Sequence, residues 1–346
     1  MDDISIDYDF NYDDNYTYEN LSTDEITLHK NHTTCFHEPI CAILVLVNVI
    51  IFVLGVCGNG LVIWIAGFKM KRTVNTTWYL SLAVSDFIFC LSLPLNIYYM
   101  ATTHWVFGLF MCKFTSFILF LNMFSSILLL VVISVDRCVS VMFPVWAQNH
   151  RGLRLASGIV VLAWIISAAF SFPSIVFRDL LTHIGQTRCY NNYKSREHYH
   201  ELVAFSRFVF GFLLPFLIII SCYSIIIVKL RANQMARSSK PFRVMTALVA
   251  TFFLCWIPYH TFVLMELNHK NHSGFVQNGL QWGTVMATAN SFLNPVLYVF
   301  MGNDFRQKFK NSIMSKIENA MGEEGRTISR YLSRSSSVDT RASTHI

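Results

Sequence analysis

Charged side chains are scarce in this chain. Only 14% of its 346 residues are Asp, Glu, Lys or Arg, while 53% are hydrophobic. An average soluble domain carries roughly 25% charged residues. The scarcity is confined to the middle of the sequence, because both ends are polar. This composition excludes an ordinary soluble domain and makes the long uncharged stretches the feature to explain.

Several other signals are missing as well. The sequence has no H-E-x-x-H or G-x-S-x-G motif and no paired carboxylates within its apolar stretches, which argues against an enzyme. Its two halves show no repeat, whereas many transporters are built from internal repeats. The first 30 residues lack the basic and apolar regions of a cleavable signal peptide, so we expect the first apolar segment to direct export.

Seven long apolar segments fill the middle of the chain. Each reaches or exceeds the ~20 residues that an α-helix needs to cross a bilayer. One such segment could be a buried core helix, but seven in succession predict a polytopic helical membrane protein. The predicted spans cover residues 40–66, 77–101, 109–141, 155–176, 202–228, 242–267 and 276–301.

Basic residues are distributed unevenly between these spans. They follow the first span, the third, the fifth and the seventh, while the connection between the second and third has none. Because Lys and Arg accumulate on the cytoplasmic side, we predict an extracellular N-terminus, a cytoplasmic C-terminus and residence in the plasma membrane. Glycosylation acceptors on the predicted outer side are Asn15, Asn20, Asn31 and Asn271.

The two ends of the chain differ in composition. Residues 1–38 hold ten acidic residues and one lysine, which predicts a disordered extracellular tail before a bundle over 39–302. Its tyrosines stand in an acidic setting compatible with sulfation. The tail could attract a basic protein ligand or serve as a solvated, glycosylated leader. Residues 316–346 are rich in Ser and Thr and are predicted to be a disordered cytoplasmic tail.

Two cysteines face the predicted oxidising side near the bundle. Cys112 lies at the outer start of the third span and Cys189 in the second outer loop, so we predict a disulfide between them. Cys35 and Cys41 could pair with each other or stay free. The remaining cysteines lie in spans and are interpreted as small packing residues: Cys57, Cys90, Cys138, Cys222 and Cys255.

Asp86 is an ionisable residue in the interior of the second span. A charge at this depth is costly, which makes it a functional candidate. Hard oxygen ligands around one carboxylate suit either a sodium ion or a structural polar network without an ion. Polar residues of other spans that could surround it are Asn59, Asn122, Ser126, Asn290, Ser291 and Asn294.

Two further features indicate a switch. Pro215, Pro258 and Pro295 each lie within a span, where proline removes a backbone hydrogen bond and produces either a hinge or a static kink. Asp136 and Arg137 interrupt an apolar run at the cytoplasmic mouth of the third span. The arginine could pair with its neighbour in one state and bind a partner in another.

Short motifs occur in every span in a fixed order. They include "GNGLV" at 58–62, "SLAVSD" at 81–86, "CWIPY" at 255–259 and "NPVLY" at 294–298, with Trp164 and Tyr223 between them. Over about residues 40–315 the chain resembles the rhodopsin-like family of G-protein-coupled receptors. The resemblance implies an all-α, seven-transmembrane helix bundle with an amphipathic eighth helix over 303–315. Cys138 departs from the tyrosine that commonly follows the Asp-Arg pair.

The resemblance also implies roles for individual residues. Sodium would be an allosteric ligand at Asp86 with Ser126, and Ile127 would complete a core triad with Pro215 and Phe252. The implied activation switch comprises Asp136, Arg137, Tyr223, Phe252, Trp256, Pro258, Pro295 and Tyr298.

Further motifs resemble the chemoattractant-peptide branch, which includes formyl-peptide, anaphylatoxin and chemerin receptors. "NMF" at 122–124, "VFRD" at 176–179 and "KPF" at 240–242 are most similar to the chemerin receptors. The branch implies a chemerin-like peptide ligand, a Gi/o protein, chemotaxis, receptor kinases and arrestins, and no nucleic acid. Phosphorylation would make the C-terminal tail anionic for arrestins at Ser335, Ser336, Ser337 and Thr340.

Two arginines lie near the predicted outer surface, Arg178 after the fourth span and Arg207 early in the fifth. A guanidinium can bind the terminal carboxylate of a peptide, formylated and complement peptides included, or that of a lipid. Arg178 could instead pair with Asp179 or Glu201. Other candidate lining residues are Asn96, Tyr98, Tyr99, His104, Phe120, His260 and Glu266.

Overall fold

The computed structural model describes residues 39–183, 185–193, 197–232, 240–267, 274–301 and 307. The N-terminal tail, the glycosylation acceptors, the phosphorylation cluster and all of the predicted eighth helix except residue 307 lie outside the described residues. The chain forms two compact units, Met1–Leu297 and Tyr298–Ile346. The first holds the bundle, and the described part of the second is residues 298–301 and 307.

Helices cover all seven predicted spans, which confirms the predicted fold class. The π-helical turns Ile65–Lys69 and Val209–Leu213 extend α1 and join α7 to α8. In chain order the elements are α1 (Pro39–Trp64), α2 (Val74–Thr102), α3 (Gly108–Met142), α4 (Pro144–His150), α5 (Leu153–Ser171), α6 (Pro173–Phe177), β1 (Arg178–His183), β2 (Gln186–Asn191), α7 (Glu197–Phe208), α8 (Leu214–Ala232), α9 (Lys240–Glu266) and α10 (Gly274–Met301).

Within the described residues, six helices are long and apolar enough to cross a membrane. They are Pro39–Lys69, Val74–Thr102, Gly108–Met142, Leu153–Phe177, His198–Arg231 and Val244–Glu266. The seventh helix, α10, has 28 residues but is more polar. Several amide side chains lie along it and lower its mean hydropathy: Gln277, Gln281, Asn290 and Asn294. Helix α10 is therefore long enough to cross a membrane, although it is less apolar than the other six helices.

Local chemistry explains where several helices begin and bend. Thr73 caps α2 by accepting a hydrogen bond from the Thr76 backbone N–H at 3.2 Å, and the Thr76 hydroxyl accepts one from the Thr73 N–H at 2.7 Å. Pro173 begins α6 and interrupts the predicted fourth span. A π-helical turn precedes Pro215, which has no N–H of its own. Pro94, inside α2, was not predicted as a kink site.

The connection between the fourth and fifth spans forms a β-hairpin, which was not predicted from the sequence. Strands β1 and β2 are antiparallel, with Arg178 opposite Asn191. The predicted disulfide is confirmed, since Cys112 in α3 is bonded to Cys189 in β2. A backbone hydrogen bond of 2.8 Å from Trp105 to the carbonyl of Thr187 adds a second attachment. Arg178 and Asn191 are thereby held at the base of the hairpin.

Helix α3 lies at the centre of the bundle and packs against α2, α5, α8 and α9. The indole Nε1 of Trp164 in α5 donates to the Ser81 hydroxyl in α2 at 3.0 Å. Gly283 in α10 lies against the α9 backbone, where an added Cβ would be 2.8 Å from the Tyr259 nitrogen. Close packing around α3 therefore determines where the polar side chains of neighbouring helices meet.

Of the two cysteines left open by the sequence, Cys41 is disulfide-bonded and is not a free thiol. Cys35 lies outside the described residues.

Candidate ligand cavity, polar core and switch

A cavity opens between α2, α3, α7, α9, α10 and the base of the hairpin. Its lining combines apolar and aromatic side chains with amides, hydroxyls, two guanidiniums and one carboxylate. Such a mixture is typical of a site that orients a mainly apolar ligand through a few polar contacts. The predicted ligand residues that line it are Asn96, Phe120, Arg178, Arg207 and Glu266.

Arg207 is held in this cavity by neutral partners. Its Nη2 donates to the Ser174 hydroxyl at 3.0 Å, and its guanidinium carbon lies 3.4 Å from the ring centroid of Phe120. Its Nε is buried and has no hydrogen-bond partner in the described part of the chain. No carboxylate among the described residues pairs with Arg207. A cavity-lining guanidinium that is not ion-paired to a carboxylate is suited to an anionic ligand.

Arg178 stands at the base of the hairpin. Its Nη1 donates to the Asn191 amide oxygen across the two strands at 3.2 Å. The neighbouring Asp179 accepts from the Leu180 backbone N–H at 2.8 Å and from the Asn192 amide at 3.1 Å. The cross-strand pair places Arg178 on the cavity wall together with Arg207.

The structure places four predicted ligand residues outside this cavity. Tyr98 and Tyr99 pack edge-on against Phe107 and Trp105, at centroid distances of 5.3 and 5.5 Å. His104 accepts a hydrogen bond from the Thr187 backbone N–H at 3.0 Å and so supports the hairpin. His260 lines a different concave site, between α7 and α9.

Helical periodicity explains the two tyrosines. Leu93, Asn96 and Met100 line the cavity at the i, i+3, i+7 spacing of one helix face. Tyr98 and Tyr99 point to other faces of α2. Three further lining residues were not predicted: Asn191 and Tyr193, on and just after the unpredicted hairpin, and His200 on α7.

Asp86 is fully buried at the centre of a polar network. The amides of Asn122 and Asn294 each donate to one of its carboxylate oxygens at 2.8 Å. Ser291 donates to the Asn122 amide oxygen at 3.2 Å, and Asn59 donates to the Ser291 backbone carbonyl at 2.9 Å. The structure therefore brings four of the predicted residues together around Asp86 across α1, α3 and α10.

The remaining members of the network are buried but less fully bonded. Ser126 Oγ and Asn290 Oδ1 have no hydrogen-bond partner among the described residues. Ser85 and Ser125, which the sequence analysis did not single out, share a hydrogen bond of 2.5 Å, and Ser85 accepts from Asn122 at 3.2 Å. Ser85 adjoins Asp86 in sequence, which is the signal that could have identified it.

Asp136 and Arg137 each have hydrogen-bond partners other than one another near the C-terminal end of α3 and the N-terminal end of α2. Asp136 accepts two hydrogen bonds from Arg151, at 2.7 and 2.9 Å, and not from its neighbour Arg137. Arg137 donates to the Asn75 amide oxygen, which also accepts from Arg151. Consecutive helical residues point in different directions, and Arg151 reaches the carboxylate more easily. Tyr223, in α8, lies near Arg137.

Aromatic rings connect the cavity to the bundle core. Phe120 and Tyr259 line the cavity with centroids 6.5 Å apart, and Tyr259 lies 5.6 Å from Trp256. Trp256 in turn stacks on Phe252 at 5.9 Å. Both of these inner rings are buried, as is Ile127 of the predicted triad. A ligand in the cavity would therefore touch the first member of a continuous row of contacts.

Comparison with known proteins places this architecture in a family. Residues 58–298 match the 7 transmembrane receptor (rhodopsin family). The chain is 45% identical over 337 residues to Chemerin-like receptor 1 of Sus scrofa, covering 92% of each chain. It is 47% identical over 303 residues to Chemerin-like receptor 1 of Homo sapiens, covering 81% of this chain and 80% of that one.

A third relative is a receptor of a different name. The chain is 42% identical over 303 residues to the C3a anaphylatoxin chemotactic receptor of Danio rerio, covering 87% of this chain and 83% of that one. The relatives are named as receptors, in keeping with the prediction that the chain is not an enzyme. By its match over most of the bundle and its similarity to these receptors, the chain belongs to the rhodopsin family of seven-transmembrane receptors.

Proposed function

We propose that this receptor binds a chemerin-like peptide or protein whose C-terminal segment enters the cavity. The observation that carries the proposal is Arg207, a cavity-lining guanidinium whose described partners are a hydroxyl and an aromatic ring. A terminal carboxylate would supply the missing negative charge and could contact Arg178 on the same wall. The names of the relatives support a ligand of chemerin type.

The opposite end of the bundle is proposed to bind a Gi/o protein at the plasma membrane, with the N-terminus outside. Arg137 lies there, beside an apolar patch on and just before α4. Phe143, Val145 and Trp146 are 61%, 72% and 52% exposed in that patch. Exposed apolar side chains next to a cation are typical of a protein-docking surface. Receptor kinases and arrestins would end the signal through the C-terminal tail.

Sodium is proposed as an allosteric ligand of the polar core. The donor set fits a monovalent cation, because it offers one carboxylate and neutral oxygens, including the unpartnered Ser126 Oγ and Asn290 Oδ1. Among the described residues no cluster of three His, Cys, Asp or Glu side chains is present that would favour a transition metal. Asp86 and Ser126 would hold the ion and keep α2 and α3 together.

The experiment compares a C-terminal chemerin peptide as free acid and as amide. Cells expressing the receptor are assayed for inhibition of cyclic AMP. We expect the acid to be at least tenfold more potent than the amide, and Arg207→Gln or Arg178→Ala to remove most of that difference. Arg188→Ala is the matched control, because Arg188 is an outer arginine that does not line the cavity.

Three results would contradict the proposed ligand or the way it is recognised. Equal potency of acid and amide would exclude recognition of the carboxylate. Signalling by a long-chain fatty acid, with no response to any peptide, would favour a lipid carboxylate as the ligand. A response to a formylated or complement-derived peptide alone would leave the receptor class unchanged and would replace the proposed ligand.

Pertussis toxin, which blocks Gi/o proteins, tests the proposed coupling in the same cells.

A further inference from the structure

A second concave site lies on the membrane-facing side of the bundle, between α7 and α9. The π-helical turn after α7 also contributes to its wall. Its lining is apolar and aromatic except at two positions: Phe208, Phe212, Ile257, His260, Thr261, Leu264 and Met265. Ile257 and Thr261 are exposed on the helix surface that faces lipid, so this groove opens to the bilayer.

His260 is the polar feature of this groove. Only 3% of its surface is exposed, and its Nε2 has no hydrogen-bond partner in the described part of the chain. Its ring packs against those of Phe208 and Phe212, at centroid distances of 5.8 and 5.2 Å. The second polar residue, Thr261, already donates its hydroxyl hydrogen to the Ile257 carbonyl at 2.8 Å. His260 is therefore the group in the groove that lacks a partner.

The surroundings limit what can supply that partner. Bilayer hydrocarbon contains no water to satisfy a buried nitrogen, and buried polar groups in proteins are nearly always hydrogen-bonded. A charged lipid group would be costly at this depth. A hydroxyl is neutral and can both donate and accept, so it can bond to Nε2 in either imidazole tautomer. The apolar and aromatic side chains that surround His260 in the groove would contact the apolar part of the molecule that carries this hydroxyl.

We propose that this groove binds a membrane alcohol, a neutral lipid with one hydroxyl on an apolar body, which hydrogen-bonds to Nε2 of His260. The site is separate from the ligand cavity, yet the two are adjacent. The His260 ring lies 5.4 Å from that of Tyr259, which lines the cavity, and 6.0 Å from Trp256. A bound alcohol therefore sits next to the aromatic row that leads from the cavity to the core.

The test uses the full receptor in nanodiscs with a photoreactive sterol probe. Labelled peptides are identified by mass spectrometry, and competition is measured with cholesterol, its methyl ether and a long-chain alcohol. We expect label on residues 257–265 or 208–212, competed by a free alcohol at least tenfold better than by the ether. Whether cholesterol or the long-chain alcohol competes better shows which kind of membrane alcohol occupies the groove.

Variants separate specific binding from adhesion to the membrane surface. Ile257→Trp fills the groove from its rim and should abolish labelling, while Leu254→Trp should not. Leu254 is 65% exposed on the same helix and does not line the groove. His260→Phe should reduce competition by the alcohol to the level of the ether. Equal labelling of all variants, or equal competition by alcohol and ether, would overturn the proposal.

Discussion

Asp136 is paired with Arg151, fifteen residues away along the chain, and not with its sequence neighbour Arg137. The amide oxygen of Asn75 in α2 accepts hydrogen bonds from both arginines. The four residues form one hydrogen-bonded group that joins α2, α3 and the connection to α5. Because Arg137 is the residue proposed to meet the G protein, its partners in this group determine how available it is.

Asn75→Ala is expected to raise signalling without ligand. The change removes the described acceptor of Arg137, a charge-assisted hydrogen bond at a half-buried position that we take as worth about 1 kcal/mol. The corresponding shift in the resting equilibrium is about fivefold. Nucleotide exchange on Gi in membranes measures it. Thr77→Ala, at a partly exposed position two residues along α2, is the control. An unchanged basal rate in Asn75→Ala would contradict the assigned role.

Arg151→Ala is expected to act in the opposite direction. Asp136 would lose its bidentate partner and would become available to Arg137, the pairing that the sequence alone had suggested. Arg137 would then be less available, and we expect the response to agonist to fall by about fivefold, since a partly buried ion pair is worth ~1 kcal/mol. Arg154→Ala, an exposed arginine at the start of α5, should leave the response unchanged. A response in Arg151→Ala that exceeds the wild type would refute the prediction.

Gly283→Ala is expected to lower the thermal stability of the receptor. An alanine Cβ would lie 2.8 Å from the Tyr259 backbone nitrogen and 2.9 Å from its Cα, atoms that cannot rotate away as a side chain can. Separating α9 from α10 should cost about 1–3 kcal/mol. Gly158→Ala is the matched control, because nothing lies within 4 Å of its added Cβ. It should stabilise α5 by up to about 1 kcal/mol, and a thermal-shift assay compares the two.

Asp86→Asn is expected to abolish any dependence of agonist affinity on sodium. An amide has nearly the same shape as the carboxylate but carries no charge, and its NH₂ group would face one of the two amide donors, Asn122 or Asn294. Losing that hydrogen bond should cost about 1–3 kcal/mol of stability. Radioligand competition in sodium chloride and in choline chloride of equal ionic strength isolates the effect of sodium. Sodium dependence that persists in the variant would place the ion elsewhere.

Most helices of the bundle could be predicted from the amino-acid sequence alone. Apolar segments of 20 or more residues predict the helices, and the observed bounds differ from the predicted ones by a few residues at each end. The convergence of Asn122 and Asn294 on Asp86 was also expected, since buried polar groups on different spans must find one another in the absence of water. The Cys112–Cys189 disulfide followed from the predicted sidedness of two cysteines.

What sequence reasoning missed depends on tertiary contacts. The hairpin strands carry no alternating pattern, because the disulfide and the Trp105 and His104 hydrogen bonds fix them instead. Tyr98, Tyr99 and His260 were predicted to line the cavity because of their residue types. In the structure they lie on helix faces that do not line it. The partner of Asp136 could not be read from adjacency, since Arg151 reaches it only through the fold of the α3–α5 connection.

The hairpin offers a position at which a reporter tag can be inserted. Its base is fixed by the disulfide and by Arg178 opposite Asn191, while at the far end β1 ends at His183 and β2 begins at Gln186. Gly185, just before β2, has a φ of +77°, a conformation that favours glycine. A short fluorophore-binding tag inserted directly before Gln186 would lengthen the hairpin away from its base. It would report the arrival of a ligand in real time while leaving the cavity wall unaltered.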